Sequence, residues 1–304
     1  MGGFIRRCVG VVLVFLGVIA LIFIVLWIIP GNPAAVLLND HVNKETIERL
    51  TATMGLDRPL HEQFFGYLAG VLRGDLGQSY YMKKSVSSLV LTAFPYTLKL
   101  TVLAAFFAWL LGISIGVISA IHHDRLPDYL FRGVSLLGVS LPVFMVALFL
   151  QYLFYFKFSL LPLMYDGSIA SMILPAIALG WNSAGSVARL TRSNLMEQFD
   201  QPYLDTARAK GLTSRQAVLR HGLKNAMLPI ITMMALQLSG MLSGAVITES
   251  VFGIAGLGKL ALTAVQTRDM PLLQGTVLFS ALVISLGNII ADLINVCLDP
   301  RMRV

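Results

Sequence analysis

Six stretches of the chain are apolar over close to the roughly 20 residues that a helix needs to cross a bilayer. They run over about 8–29, 97–120, 131–156, 172–190, 227–248 and 276–298. The first is longer than the roughly 7–15-residue apolar core of a secretory signal, and no small-residue cleavage site follows it, so it reads as a retained span. Between the first two spans, residues 30–95 carry a pattern of their own. Asn43 is placed to cap a helix with Ile47, Leu50 and Met54 on one face, closed by Gly55. Leu60, Phe64, Leu68 and Leu72 then repeat at i, i+4 and stop near Gly74, which predicts a second short helix. No internal repeat or low-complexity tract interrupts the chain. The pattern therefore predicts an all-α integral membrane protein with six transmembrane helices and a small helical cap between spans one and two. Residues 1–94 would form the first helix and the cap, and residues 95–304 a core of five helices with their loops.

Composition strengthens this reading. Of 304 residues, 56% are hydrophobic and 13% charged, with a mean hydropathy of +0.76. An ordinary soluble domain carries about 25% charged residues, so lipid is the expected main solvent. The net charge of +7 is spread over inter-span segments rather than gathered as a patch on a soluble fold, and it speaks for topology, not for a nucleic acid. Arg6, Arg7, Arg125, Arg132, Arg189, Arg192, Arg208, Lys210, Arg215, Arg220, Lys224, Arg301 and Arg303 fall on one side; the short loops opposite hold only Lys157, Lys259 and Arg268. That asymmetry places both termini and the long basic loop, Arg189 to Lys224, in the cytoplasm, and the cap outside. Cys8 and Cys297 sit in apolar runs at opposite ends and suggest neither a disulfide framework nor a metal knuckle.

The cytoplasmic loop between spans four and five carries the sharpest local signal. It reads Asp205-Thr206-Ala207-Arg208-Ala209-Lys210-Gly211, with Pro229 eighteen residues after the glycine, inside Asn225-Ala226-Met227-Leu228-Pro229. This is a short helix, a glycine that permits a turn or a close backbone approach, and a second basic helix leading into a span whose start the proline marks. The plainer reading is a basic loop held to anionic lipid.

The spacing resembles the coupling-loop signature of permease subunits in binding-protein-dependent ABC importers. Other stretches narrow the resemblance to the dipeptide/oligopeptide/nickel family and its B-type subunit. They include Pro30-Gly31-Asn32-Pro33, Met54 to Leu60, Gly74-Asp75-Leu76-Gly77-Gln78-Ser79, Pro95-Tyr96-Thr97-Leu98 and Gly138 to Pro142. Glu249 to Gly253, Arg268-Asp269-Met270-Pro271 and Asp299-Pro300-Arg301 follow in order. The departures are mild: Asn32 stands where the family usually has Asp, and Asp205 where the general signature has Glu.

The resemblance implies a type I ABC importer permease in the bacterial inner membrane. It would form half of a pathway for di- or oligopeptides, or alternatively for nickel, a metal chelate or a glutathione-like small peptide. The implied partners are a homologous C-type permease, two nucleotide-binding ATPase subunits and an extracytoplasmic binding protein. ATP and Mg would bind on the ATPases, and no cofactor or catalytic residue is expected on this chain. A coupling helix around residues 205–222 would sit in a groove on an ATPase, with Asp205, Ala207, Gly211 and Arg215 as candidate contacts.

Several further signals weigh less. Gly253-Ile254-Ala255-Gly256-Leu257-Gly258-Lys259 approaches a phosphate-binding loop, but Leu260 stands where a Ser or Thr must reach magnesium, and the stretch follows a span rather than a strand. Asn288, Asp292 and Asn295 share one face of span six, and Gln237 shares a face of span five with Met233 and Met241; each set reads as pathway lining or as a helix interface. Gly112-x3-Gly116 and Gly240-x3-Gly244 fit close helix packing. The adjacent His122 and His123 point about 100° apart on a helix and are read as solvated rather than metal-binding. An ion-coupled carrier would show repeats and broken midplane helices, and an intramembrane enzyme would show a nucleophile or paired acids; neither pattern is found.

Overall fold

The computed structural model describes residues 10, 13–22, 24, 44–53 and 57–298. The expectations placed on Asn43, Met54, Gly55, 30–33 and 299–301 lie outside the described residues. Among those described, the regular structure is helical apart from one antiparallel bridge between Gln78 and Ser85. The helices are α1 (Leu13–Ile22), α2 (Lys44–Thr53), α3 (Leu60–Leu72), α4 (Val86–Ile121), α5 (Leu126–Ser140) and α6 (Val143–Gln151). They continue as α7 (Ala170–Phe199), α8 (Pro202–Ala209), α9 (Ser214–Ala217), α10 (Leu223–Phe252), α11 (Leu257–Gln266) and α12 (Met270–Leu298). Three helical stretches are long and apolar enough to cross a membrane, or up to five if each of two bent pairs counts as one span. Polar residues such as Asn182, Ser186 and Arg189 interrupt the apolar character of α7.

The expected single span over 131–156 is two helices. The chain breaks at Leu141-Pro142 and α5 and α6 meet at 111°. Pro142 has no N–H to donate and pushes Leu141 into an extended conformation (φ −83, ψ 130), which ends α5. A π-helical turn, Tyr152–Lys157, follows α6. Pro229 also differs from expectation: it lies inside α10 rather than at its start, and a π-helical turn over Val218–Gly222 precedes the helix.

The chain forms two compact units. One comprises the described residues up to Thr97 together with Ala255–Ser285. Its core holds Val86, Val90, Ala93, Leu257, Ala264 and Leu272. Asp269 is fully buried here and accepts hydrogen bonds from Ser79 Oγ (2.5 Å), Tyr81 N (2.9 Å) and Leu272 N (3.2 Å). The last of these caps the first turn of α12, and the other two pin the tight segment before α4 to it. Thr97 Oγ1 accepts from Leu257 N at 2.8 Å, fixing the start of α11. Four of the stretches singled out in the sequence thus meet in one unit.

The second unit comprises Leu98–Ile254 and residues from Leu286 onward. Helix α7 is its centre and packs against α5, α6 and α10. Gly112 and Gly116 of α4 face it so closely that a Cβ on Gly112 would lie 2.7 Å from Val187 Cβ, and one on Gly116 2.5 Å from Thr191 Cβ. An added Cβ on Gly240 meets nothing within 4 Å among the described residues, and the surroundings of Gly244 lie outside them.

Candidate functional site

The loop between α7 and α10 is built from two short helices around a glycine. Pro202 opens α8 at a position where its missing N–H costs no helical bond, and Asp205 lies in the first turn, where a carboxylate favours the helix dipole. Gly211 has φ +93 and sits two residues past the end of the helix. Leu212 N donates to Ala207 O (3.3 Å) and Gly211 N to Arg208 O (2.9 Å), which together make a Schellman closure. A Cβ on Gly211 would touch nothing within 4 Å among the described residues, so the glycine is required by its left-handed backbone and not by a close approach to them. Beyond it, Thr213 Oγ1 accepts from Gln216 N (3.3 Å) and Gln216 Oε1 accepts from Thr213 N (3.0 Å), a capping box that restarts the helix at α9.

The two faces of α8 do different things. Leu204 is fully buried and Ala207 is 8% exposed; both join a core with Ala120, Leu195, Ala217, Val218 and Ala226. Burying a leucine contributes about 1.5–3 kcal/mol, so this contact anchors the loop to the helices beneath it. On the other face Asp205 is 74% exposed and pairs with Arg208 at 3.0 Å. An exposed pair of this kind adds at most about 1 kcal/mol, which leaves both groups available to another molecule. The structure therefore brings Asp205, Ala207 and Gly211 into one folded element but on separate duties: Ala207 packs inward, Gly211 shapes the turn, and Asp205 faces out. The Arg215 side chain lies outside the described residues, as does that of Asp292. Asn288 is exposed. Gln237 is half-buried; its Nε2 makes a long 3.5 Å bond to Ser183 O, and its Oε1 is buried without a partner.

Sequence reading missed the strongest electrostatic feature. Asp128, fully buried, accepts from Arg192 Nε and Nη2, each at 2.8 Å, from Ser119 Oγ at 2.5 Å and from Asp124 N at 3.1 Å. The planar guanidinium meets both carboxylate oxygens, the geometry that makes arginine pairs strong. In the sequence Arg192 reads only as one of many topology charges, and nothing links it to an acid 64 residues earlier. His123, Asp124 and Asp128 also gather ligand atoms within 4.8 Å of one another, but both Asp128 oxygens are engaged by the chain's own cation. The glycine-rich stretch near residue 256 follows helix α10, whose end Gly253 closes with φ +73.

Comparison with known proteins adds the family. Residues 112–304 match the model of the binding-protein-dependent transport system inner membrane component, and residues 1–101 match the model of its N-terminal region. The glutathione transport system permease protein GsiC of Salmonella paratyphi A is 36% identical over 298 residues, covering 98% of this chain and 97% of the relative. The protein of that name in Escherichia coli K12 is 33% identical over 299 residues, with 98% of each chain covered. Among solved structures, the MetNI methionine ABC transporter in an inward-facing form superposes with a TM-score of 0.55 at 16% identity, over 69% of this chain and 96% of that one. An amino acid ABC transporter solved with histidines gives 0.54 at 21%, over 69% and 94%. These two likenesses concern the fold. The all-helical architecture, the apolar spans and the end-to-end match together show that this chain belongs to the inner-membrane permease components of binding-protein-dependent ABC transport systems, in the dipeptide/oligopeptide family, and is a multi-pass protein of the inner membrane.

Proposed function

We propose that this chain is the B-type permease of a small-peptide importer and transmits ATP-driven motion through the α8–α9 element. In this reading the chain crosses the membrane six times with both termini inside. It pairs with a C-type permease, receives peptide from a binding protein on the outer side, and docks one of two ATPase subunits at the exposed face of α8. ATP and magnesium bind on those subunits and not on this chain. The relatives named as glutathione permeases support a tripeptide-sized cargo. The observation that carries the docking assignment is the division of labour in α8, with Leu204 and Ala207 held in the chain's own core and Asp205 presented outward on a helix that a proline opens and a Schellman turn closes.

A rigid helix can pass a displacement to the helices it is anchored on, whereas a loose loop would absorb it. Moving an inward–outward equilibrium from 1:99 to 99:1 takes about 5.5 kcal/mol, which ATP binding and hydrolysis can supply without an ion gradient.

The Gly211→Val variant tests the role of the turn. A β-branched residue at φ +93 is strained by about 1–3 kcal/mol and would unseat the Schellman closure, while its Cβ meets no described atom within 4 Å. In the reconstituted transporter, cargo-loaded binding protein is expected to stimulate ATP hydrolysis several-fold less than in the wild type. Arg220→Gln, a neutralisation of an exposed charge in the same loop, is expected to be milder. Full stimulation and uptake in Gly211→Val would remove the coupling role from this element.

A further inference from the structure

Helices α5, α7 and α10 line an open cavity of about 790 Å³ in the second unit. Tyr129, Arg132, Ser186, Arg189, Ser193 and Met233 line it, and Arg192 closes one side. Three arginines therefore line one space, and among the described residues no acidic side chain is part of its lining. Arg192 is held from behind by Asp128 through two 2.8 Å bonds. Arg132 lies over the Tyr129 ring, 5.9 Å from its centre. Neither Arg132 nor Arg189 forms an ion pair with a described residue. An arrangement of like charges in a cleft raises the local concentration of anions.

The surroundings indicate which anion. Ser186, Arg189 and Ser193 follow one another at i, i+3 and i+7, so one face of α7 is polar over about two turns. The polar seam continues away from the arginines: Met233 of α10 lines the cavity, and one turn further along α10 lies Gln237, whose Oε1 is buried without a partner and whose Nε2 reaches Ser183 O on α7. A headgroup site at the bilayer surface would end at the arginines; this seam runs on between the helices. In the topology above the three arginines lie toward the cytoplasmic side, and arginine presents a fork that matches a carboxylate.

From this geometry we infer that the Arg132–Arg189–Arg192 cavity is the part of the translocation path that receives the carboxylates of the cargo, so that the transporter favours acidic peptides with a free C-terminus over amidated neutral ones. The inference rests on the peptide reading above and names the peptide class.

The test uses the complete transporter, with both permeases, the ATPases and saturating binding protein, in vesicles made with and without anionic phospholipid. Uptake of Ala-Glu-Glu is compared with that of Ala-Gln-Gln-amide for the wild type, R132Q/R189Q and R132K/R189K; Arg192 is left intact because Asp128 depends on it. Loss of two charge-assisted contacts is expected to lower Ala-Glu-Glu uptake about tenfold or more in the glutamine variant. Uptake of the amide should change less than about twofold, and the lysine variant, which keeps both charges, should retain most of the acidic-peptide uptake. An equal loss for both peptides, or no loss for either, would overturn the inference. So would a defect confined to vesicles with anionic phospholipid, which would make this a headgroup site. A wild-type transporter that carries neither peptide, while its loaded binding protein still stimulates ATP hydrolysis, would overturn the peptide reading itself and this inference with it.

Discussion

Arg192→Ala is expected to destabilise the protein by about 3–5 kcal/mol, because it leaves the fully buried Asp128 carboxylate without its counter-ion. The cost comes less from the lost attraction than from the charge left behind. Ser119 Oγ and Asp124 N would remain as its only donors among those now present. Denaturant unfolding of the detergent-solubilised chain measures the effect. The double replacement Asp128→Leu with Arg192→Met removes both charges and is expected to recover most of the loss, since a buried pair is often no more stabilising than apolar residues of similar volume. A single Arg192→Ala variant within about 1 kcal/mol of the wild type would show that the carboxylate reaches water and that the pair does not hold α5 to α7.

Replacing Gly116 is the second substitution with a large expected effect. Its missing side chain lets α4 approach α7 until the backbone oxygen of Ala188 and the Thr191 side chain fill the space a Cβ would occupy, at 2.6 Å and 2.5 Å. One added methyl forces the helices apart or strains their rotamers, at a cost of about 1–3 kcal/mol. Gly116→Ala should accordingly lower stability by that amount, and Gly116→Leu, with three more carbons in the same space, should give no folded protein. Gly66→Ala supplies the control. It lies on an exposed face of α3, its new Cβ meets nothing within 4 Å, and relief of the glycine penalty should leave stability unchanged or raised by up to about 1 kcal/mol. Equal behaviour of the two alanine variants would mean that the α4–α7 contact is looser than the backbone indicates.

These two sites show what a sequence reading can and cannot reach. Periodicity is local, so the pattern at Leu60, Phe64, Leu68 and Leu72 predicts α3 correctly, and the long apolar runs predict α4, α10 and α12. The glycines at 112 and 116 announce a helix contact by their spacing, but not that Val187 and Thr191 are opposite them. Pro142 ends α5, but the apolar run continues on both sides of it and predicts a single span. Pairings across the chain had no local trace at all: Asp128 with Arg192, and Ser79 with Asp269 at a separation of 190 residues. In the candidate docking loop, the sequence marks Gly211 as special. Its reason, a positive φ that closes α8, and the inward duty of Ala207 emerge only once the helix has a buried face.

The outward face of α8 is the centre of the functional account, and a proximity measurement tests it most directly. Asp205→Cys places a thiol on that face, and Asp57→Cys places one on an exposed segment between α2 and α3. In the assembled transporter, in a background with Cys8 and Cys297 replaced by serine, a short thiol-to-amine cross-linker should join position 205 to an ATPase subunit. The yield should change when ATP is added, and position 57 should give no such product. If position 205 never joins an ATPase subunit in a transporter that hydrolyses ATP and takes up cargo, α8 is not the docking element.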